Sequence, residues 1–359
     1  SPAWRAQAEA TVAEVGRQER VSGPDERGWL MIPSGGTSGQ LKFARHDGFT
    51  LGAAVAGFAA HFGFARVDAV NVLPLHHVSG LMGWLRCIMT SGTMVPWSWA
   101  ELQAGRRPPW PGARAVISLV PTQLERLLRD PAAVAWLRNF AVIFLGGGPV
   151  WPDLADRAAS AGLPVALSYG MTETAAMVTA LRPAEFLAGA RSSGSALPHV
   201  RVTIAEDERV RIAGESLFRG YWPAWSEERS YLTEDLGRID ARGELHVLGR
   251  REATIITGGK KVFPLEVEAA LRASGEFEDV VVLGVPDPEW GDRVVACYPR
   301  RAGRDRIDEE RAAAALAAFQ RPKQYVAVAE WPVNAQGKVN RAALLGQIRA
   351  LPDPDLFNR

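Results

Sequence analysis

Between residues 69 and 168 the chain alternates two textures. Short continuous apolar runs, AVNVL (69–73), AVISLV (115–120), AVIFL (141–145) and VALS (165–168), read as strands. PTQLERLLRD (121–130) and WPDLADRAASAG (151–162), which separate the later ones, read as helices. Strand and helix in alternation predict a mainly parallel sheet covered by helices, an α/β fold. Upstream, GWLMI (28–32) reads as a strand and FTLGAAVAGFAAHFG (49–63) as a largely buried helix ended by Gly63. The first twenty residues, SPAWRAQAEATVAEVGRQER, read as an amphipathic helix.

Beyond residue 195 short β-like runs and turns take over: RVTIA, RVRIA, ESLFRGYW and GELHVLGRREATIITGG. FPLEVEAALRAS (263–274) then starts a helix with Pro264 in its first turn. DVVVLGV (279–285) and RVVACYP (293–299) read as strands of a small α+β unit, and DEERAAAALAAFQ (308–320) as a helix capped by Asp308. The change of texture places a domain boundary near GRRE (249–252). The expected organisation is a large α/β domain over residues 1–249, a small α+β domain over 250–350 and a mobile tail over 351–359.

Four unusual loops follow predicted strands: PSGGTSG (33–39), PLHHVSG (74–80), GGGPV (146–150) and YGMTET (169–174). In open α/β sheets ligands bind at the carboxyl ends of the strands, so these loops are expected to converge on a site. The first packs glycines, hydroxyls and then Lys42 into one segment, which suits an anion such as phosphate. A Walker A loop is excluded, because Gly39 is followed by Gln40 and Lys42 by Phe43.

Composition narrows the class. A chain of 359 residues fits two domains. Lys+Arg 41 against Asp+Glu 40 gives a net charge of +1, so no global field draws it to nucleic acid. Cys87 and Cys297 match no metal or redox spacing and read as buried thiols of a reducing cytosol. The longest apolar stretches are too short to cross a bilayer, and the expected location is the cytoplasm.

With these loops in view the chain resembles the adenylate-forming superfamily of acyl-CoA synthetases, peptide-synthetase adenylation domains and luciferases. PSGGTSGQLK is similar to its phosphate loop, YGMTET to its nucleotide and magnesium motif, and YLTEDLGRID to its ribose motif. GRREATIITGGKKVFPLEVE is similar to the hinge region and PVNAQGKVNR to the C-terminal lysine motif. Singly each has an ordinary alternative: Asp235 a turn residue before Gly237, Glu173 a helix-start carboxylate, Lys338 a solvated lysine. Five motifs in this order favour the functional reading.

The resemblance implies ATP, Mg²⁺ and coenzyme A as cofactors and a small carboxylic acid as substrate. Phosphates would lie at Ser34, Gly35, Gly36, Thr37, Ser38, Gly39 and Lys42, and adenine at Gly146, Gly147, Gly148, Tyr169, Gly170 and Met171. Asp235, with two acceptor oxygens, would take the ribose hydroxyls beside the donor fork of Arg250. Glu173 would be the hard oxygen ligand for Mg²⁺. Lys338, Thr172 and His77 would be catalytic, Lys338 as the cation facing charge that develops on the α-phosphate. Glu252 would be the hinge, and Gly258 and Gly259 would border the pantetheine channel.

LPLHHVSGLMGWLR with SYGMTETAAMVTAL is most similar to o-succinylbenzoate–CoA ligases of menaquinone and phylloquinone biosynthesis. His77, Gly80, Leu81, Arg86 and Ala175 would then line the acid pocket, Arg86 facing a second carboxylate. Another aryl- or acyl-CoA synthetase, or a weakly catalytic nucleotide sensor, are the alternatives; Lys338 argues against the sensor. Two features depart from the family pattern. The phosphate loop is one residue longer and lacks a proline, and only 33 residues precede Ser34 where the family carries a substantial N-terminal region. The reading leaves a natural short form, an incomplete large domain and homo-oligomerisation open.

Overall fold

Val142, Ile143, Phe144 and Leu145 are all buried, so the strand that they form has no solvent face. Alternate residues feed two cores. Ile143 and Leu145 pack with Ile117, Leu119, Leu124 and Leu154, whereas Val142 and Phe144 pack with Phe58, Val116 and Ala166. Such a strand belongs inside a sheet covered on both faces. The computed structural model, which describes residues 29–35, 41–110, 114–300, 307–333 and 339–349, places it there.

The chain opens with β1 (Leu30–Gly35), β2 (Leu41–His46), α1 (Gly48–Phe62), β3 (Ala69–Asn71), α2 (Val78–Met89), β4 (Met94–Pro96) and α3 (Trp99–Gln103). It continues with β5 (Val116–Leu119), α4 (Pro121–Leu127), α5 (Pro131–Leu137), β6 (Val142–Leu145), α6 (Pro152–Ser160) and β7 (Val165–Met171). After a 3-10 turn at Thr172–Thr174 come β8 (Ala176–Ala180), α7 (Pro183–Leu187), β9 (Ser195–Ala196), β10 (Val200–Ile204), β11 (Arg209–Gly214), β12 (Ser230–Ile239) and β13 (Leu245–Arg250). The last part holds β14 (Ile255–Thr257), β15 (Lys260–Val262), α8 (Pro264–Ala273), β16 (Val281–Asp287), β17 (Gly291–Pro299), α9 (Glu309–Ala313), β18 (Gln324–Val328) and α10 (Arg341–Arg349).

The main sheet runs β4-β3-β5-β6-β7-β8-β9. Strands β4 to β7 in that order are parallel, and β8 and β9 continue antiparallel. A second, antiparallel sheet follows as β10-β11-β12-β13. The third holds β15-β14-β17-β16 with β18 parallel to β17. The sheet changes between Arg250 and Ile255. Cys87 and Cys297 are buried and unbridged. Among the described residues no helix is long and apolar enough to cross a membrane.

Four expectations need correction. The Gly-rich segment does not follow a strand of the parallel sheet; its first residues, Pro33 to Gly35, belong to β1, which pairs antiparallel with β2, Ser34 opposite Lys42. The helix expected over 121–130 stops at Leu127, and Asp130 caps a second one by accepting from the Ala132 amide at 2.9 Å. The loop expected over 74–80 gives way at Val78 to a helix, Val78–Met89, although Gly80 and Gly83 lower its propensity. The helix expected over 308–320 ends at Ala313, while Asp308 does cap it through the Arg311 amide at 3.0 Å. The expected helix over residues 1–20 and the tail 351–359 lie outside the described residues.

Strands β7 and β8 close tightly at Gly170, where an added Cβ would lie 1.9 Å from the Ala176 carbonyl oxygen. Gly170→Ala must push β8 aside, and overpacking of this kind costs about 1–3 kcal/mol. We expect a clear fall in Tm for Gly170→Ala and none for Gly148→Ala, whose added Cβ would meet nothing nearer than 3.9 Å. Equal melting of the two variants by differential scanning fluorimetry would refute the close approach.

Candidate active site

Strand β7 ends in a turn that Thr174 holds shut. Its Oγ1 accepts from the Met171 amide at 3.1 Å and donates toward the Ala176 carbonyl at 2.7 Å. Ala175 and Ala176 then take φ of 52° and 75°, a left-handed region that residues with a Cβ seldom adopt. This turn buries Glu173. Ser34 Oγ of β1 donates to Glu173 Oε1 at 2.8 Å, and Tyr221 OH donates to the same oxygen at 2.6 Å. Neither bond falls on Oε2. Burial and the Glu173 carboxylate push the Tyr221 phenol far up, so it stays protonated and remains a donor. Lys42 Nζ lies 5.1 Å from the centre of the Tyr221 ring.

Tyr221 arrives by backbone pairing. Arg45 N donates to Gly220 O at 3.0 Å and Trp222 N to Phe43 O at 2.9 Å, so residues 219–222 line the free edge of β2. Arg219 Nε also meets Asp47 Oδ2 at 2.9 Å. Asp47 and Thr50 form a reciprocal capping box at the start of α1. Just before it, His46 Nε2 faces the Thr172 carbonyl at 2.8 Å and Nδ1 faces Thr50 Oγ1 at 3.1 Å. A carbonyl only accepts, so Nε2 carries the proton and Nδ1 accepts. Burial pushes this imidazole down to about 4.

A second cluster gathers around Tyr169, within β7. Tyr169 OH donates to Asp235 Oδ2 at 2.7 Å, and Arg250 Nη1 reaches Asp235 Oδ1 at 3.4 Å. Asp235 and Arg250 face each other across β12 and β13. Burial and Asp235 push the Tyr169 phenol far up, so this hydroxyl too is a permanent donor. The amide of Asp235 donates to Thr233 Oγ1 at 3.1 Å, which fixes the Thr-x-Asp segment. Gly146, Gly147 and Gly148 follow β6, Gly147 at φ 77°. A Cβ on Gly146 would lie 2.9 Å from Ser168 Oγ, one residue before Tyr169. Gly170 and Met171 complete β7.

On the α2 side, His77 is the N-cap residue and its ring lies 4.5 Å from that of His76. Burial and His76 push the His77 imidazole down. Leu81 is half-buried one turn on. Gly80 lets the helix pass close to the preceding loop: a Cβ there would lie 2.2 Å from the Pro74 carbonyl oxygen. Ala175 is fully buried among Leu51, Ala54, Val55 and Met82. Arg86 is 5% exposed, with its guanidinium 4.0 Å over the Phe58 ring. Burial pulls it down to about 10, so it keeps its charge at neutral pH. Among the described residues no carboxylate pairs with Arg86, and its Nε has no hydrogen-bond partner.

The remaining expected residues lie apart from these clusters or outside the description. Glu252 is exposed in the short 3-10 turn Arg251–Ala253 between β13 and β14, beside Arg250 Nη2 at 3.8 Å. Gly258 and Gly259, at φ 54° and 74°, form the two-residue turn joining β14 to β15. Positive φ at both positions of such a turn accounts for both glycines. Gly36, Thr37, Ser38, Gly39 and Lys338 lie outside the described residues. Sequence reasoning missed Tyr221 and His46. Only the Asp47-x-x-Thr50 capping spacing pointed near the latter, and nothing local marks Tyr221.

The chain matches the AMP-binding enzyme family over residues 3–222 and the AMP-binding enzyme C-terminal domain over residues 266–338. It is 31% identical to the 2-succinylbenzoate–CoA ligase of Listeria innocua over 281 residues, 76% of this chain and 60% of that protein. The chain thus spans less than two thirds of that relative's length. A probable 2-succinylbenzoate–CoA ligase of Mycobacterium tuberculosis is 31% identical over 344 residues, covering 88% of this chain and 83% of the relative. Among solved structures, o-succinylbenzoate CoA synthetase from Bacillus subtilis in complex with its acyl-adenylate intermediate superposes with a TM-score of 0.75 at 25% identity, over 88% of this chain and 68% of the other. ATP-bound MatB from Rhodopseudomonas palustris gives 0.75 at 27% identity, over 89% and 68%.

The buried neutral His46 makes stability depend on pH. An unfolded chain protonates this histidine near 6.5, the folded one near 4. Between those values the unfolded state binds more protons, so stability is fully present above pH 6.5 and falls as pH drops toward 4. A gap of 2.5 units, from 6.5 to about 4, corresponds to on the order of 3 kcal/mol. Tm measured from pH 7 to 4.5 should fall steeply in the wild type and less steeply in His46→Asn. Identical slopes would mean that His46 is protonated in the fold.

Proposed function

Because the chain belongs to the AMP-binding enzyme family, we propose that it activates a carboxylic acid with ATP and passes the acyl group to coenzyme A, with o-succinylbenzoate as the acid. In the first step an oxygen of the acid's carboxylate attacks the α-phosphorus and the bond to pyrophosphate breaks. In the second the coenzyme A thiolate attacks the acyl carbon and AMP leaves with the bonding pair.

The two clusters divide the nucleotide between them. Asp235 already accepts from Tyr169 and Arg250, one bond on each oxygen, and each oxygen keeps a lone pair for a ribose hydroxyl. Tyr169 and the Gly146–Gly148 backbone border the adenine, and Ser34 to Lys42 the phosphates. The donor set fits magnesium: Glu173 has one oxygen engaged by Ser34 and Tyr221 and the other turned to neither. Among the described residues no group of three His, Cys, Asp or Glu could cage a metal, which suits an ion that keeps water and phosphate as most of its ligands. When bound, it would neutralise phosphate charge. Thr172 adjoins Glu173, and His77 caps the helix that walls the acid side. Lys338 supplies a cation to the α-phosphate in the first step only, and Glu252 is the pivot that brings Gly258 and Gly259 to the pantetheine for the second.

Arg86 is the observation that carries the reading to a dicarboxylic acid. An unpaired charge in an apolar interior is costly. Arg86 lies one helical turn, about 6 Å, beyond Met82, which packs against Ala175 beside Glu173. A second carboxylate on the acid would meet it there.

Carboxylate-dependent exchange of pyrophosphate into ATP across a panel of acids tests the reading directly. Arg86→Ala should raise KM for o-succinylbenzoate by about ten- to a hundredfold, as loss of a charge-assisted hydrogen bond implies. It should leave 4-oxo-4-phenylbutanoate, which lacks the ring carboxylate, nearly unaffected. If both acids change in parallel, Arg86 does not read the second carboxylate. Lys338→Ala should slow adenylation by at least about a hundredfold while thioester formation from preformed acyl-adenylate survives. Equal losses in the two half-reactions would make Lys338 a structural residue.

A further inference from the structure

We propose that His199 is a second specificity-determining residue, its imidazole joining the Arg86 guanidinium to seat the carboxylate that is not activated; this rests on the dicarboxylic-acid reading. His199 lies in the turn between β9 and β10, and its backbone is pinned where its carbonyl accepts from the Glu215 amide at 3.2 Å. Its ring is pressed onto α1: a Cβ on Gly57 would lie 1.8 Å from His199 Nδ1. Only glycine leaves room for an imidazole there. The next residue, Phe58, carries Arg86 over its ring at 4.0 Å. Leu197 and Val200, on either side of His199, pack in the same core cluster as Phe58, and the imidazole feels the Arg86 cation. Burial first, and then the Arg86 charge, push it down to about 4, so it is neutral at pH 7.

His199 Nδ1, His199 Nε2 and Arg86 Nε are all buried and all lack a hydrogen-bond partner. Buried polar atoms in native proteins are nearly always paired, so three orphans at one spot call for a missing group. The chemistry of the orphans defines that group. Guanidinium nitrogens only donate, and a neutral imidazole donates through one nitrogen. A carboxylate, with two oxygens and negative charge, complements the guanidinium nitrogen and the imidazole N–H; the second imidazole nitrogen is an acceptor that it does not serve. His199 adds an uncharged donor that fixes the orientation of the carboxylate without adding to the charge that Arg86 already brings.

The test compares KM and kcat for o-succinylbenzoate and 4-oxo-4-phenylbutanoate in wild type, His199→Leu, His199→Gln and Arg86→Ala. His199→Leu should raise KM for o-succinylbenzoate by about ten- to a hundredfold, the loss of one hydrogen bond to a charged acceptor. KM for the monoacid and for ATP, and kcat for both acids, should stay close to wild type. His199→Gln, which keeps an N–H donor, should restore part of the discrimination, and it decides the matter alone if the leucine variant does not fold. Parallel changes for the two acids, or none, would show that His199 only packs on Gly57 and would overturn the proposal. Discrimination lost in Arg86→Ala but kept in both His199 variants would overturn it while leaving the dicarboxylic-acid reading intact. A wild type that does not distinguish the two acids would overturn both.

Discussion

The site depends on one buried carboxylate. Glu173 is 6% exposed, and an anion taken out of water that far destabilises the fold by several kcal/mol unless hydrogen bonds replace the lost solvation. Its two donors come from elements far apart in sequence, Ser34 on the β1–β2 hairpin and Tyr221 on the segment that lines β2. Satisfying Glu173 therefore fixes two pieces of chain relative to the end of β7. The Arg219–Asp47 pair and the His46–Thr172 hydrogen bond tie the same pieces again at 2.9 and 2.8 Å. A hairpin that belongs to no larger sheet would otherwise have little to hold it there, since a lone two-stranded hairpin is marginal in water.

That dependence also explains what could be read from the sequence. Strands β5 and β6 were legible because burial on both faces forces an unbroken apolar run. The Thr-x-Asp segment was legible because its chemistry is local, Thr233 bonding the backbone of Asp235 two residues on. Helix α2 was hidden for a physical reason: Gly80 lets the helix start hard against the Pro74 carbonyl, and that same glycine erases its helical signal. Tyr221 and His199 were hidden because their roles arise from contacts across 48 residues to Glu173 and to Gly57 on a distant helix. Nothing beside them in the chain marks either one.

The cations divide by what faces them. Arg209 meets Asp207 and Glu234 at 2.7 and 3.0 Å, and Arg129 meets Glu125 at 3.5 Å, in pairs that water reaches on at least one side. Pairs of that kind contribute about 0–1 kcal/mol and specify little. Arg86 is the opposite case, buried over an aromatic ring with no carboxylate among the described residues. Its stacking on Phe58 offsets part of the desolvation, since a cation over an aromatic face gains on the order of 2 kcal/mol when dry. That is less than a buried charge requires, and the difference is what a ligand carboxylate would supply.

The junction between the two parts of the chain follows the same logic at larger scale. Asp235 and Arg250 belong to the last sheet of the large part, and a new sheet begins five residues later at Ile255. A pivot at Glu252 would therefore turn the small part without disturbing the ribose-side cluster. Several of the contacts between the two parts are polar. Arg272 on α8 lies 3.7 Å from Asp153 and 5.3 Å over the Trp151 ring of the large part, and Lys261 pairs with Glu208. Arg251, within the turn itself, holds Glu234 at 3.3 Å. The Lys261–Glu208 and Arg251–Glu234 pairs are half-exposed, and pairs of that sort contribute about 0–1 kcal/mol each. An apolar seam between the parts would lock them together. Weak charged contacts hold an orientation loosely, and the proposed sequence of adenylation and then thiol attack would need one orientation to exchange for another.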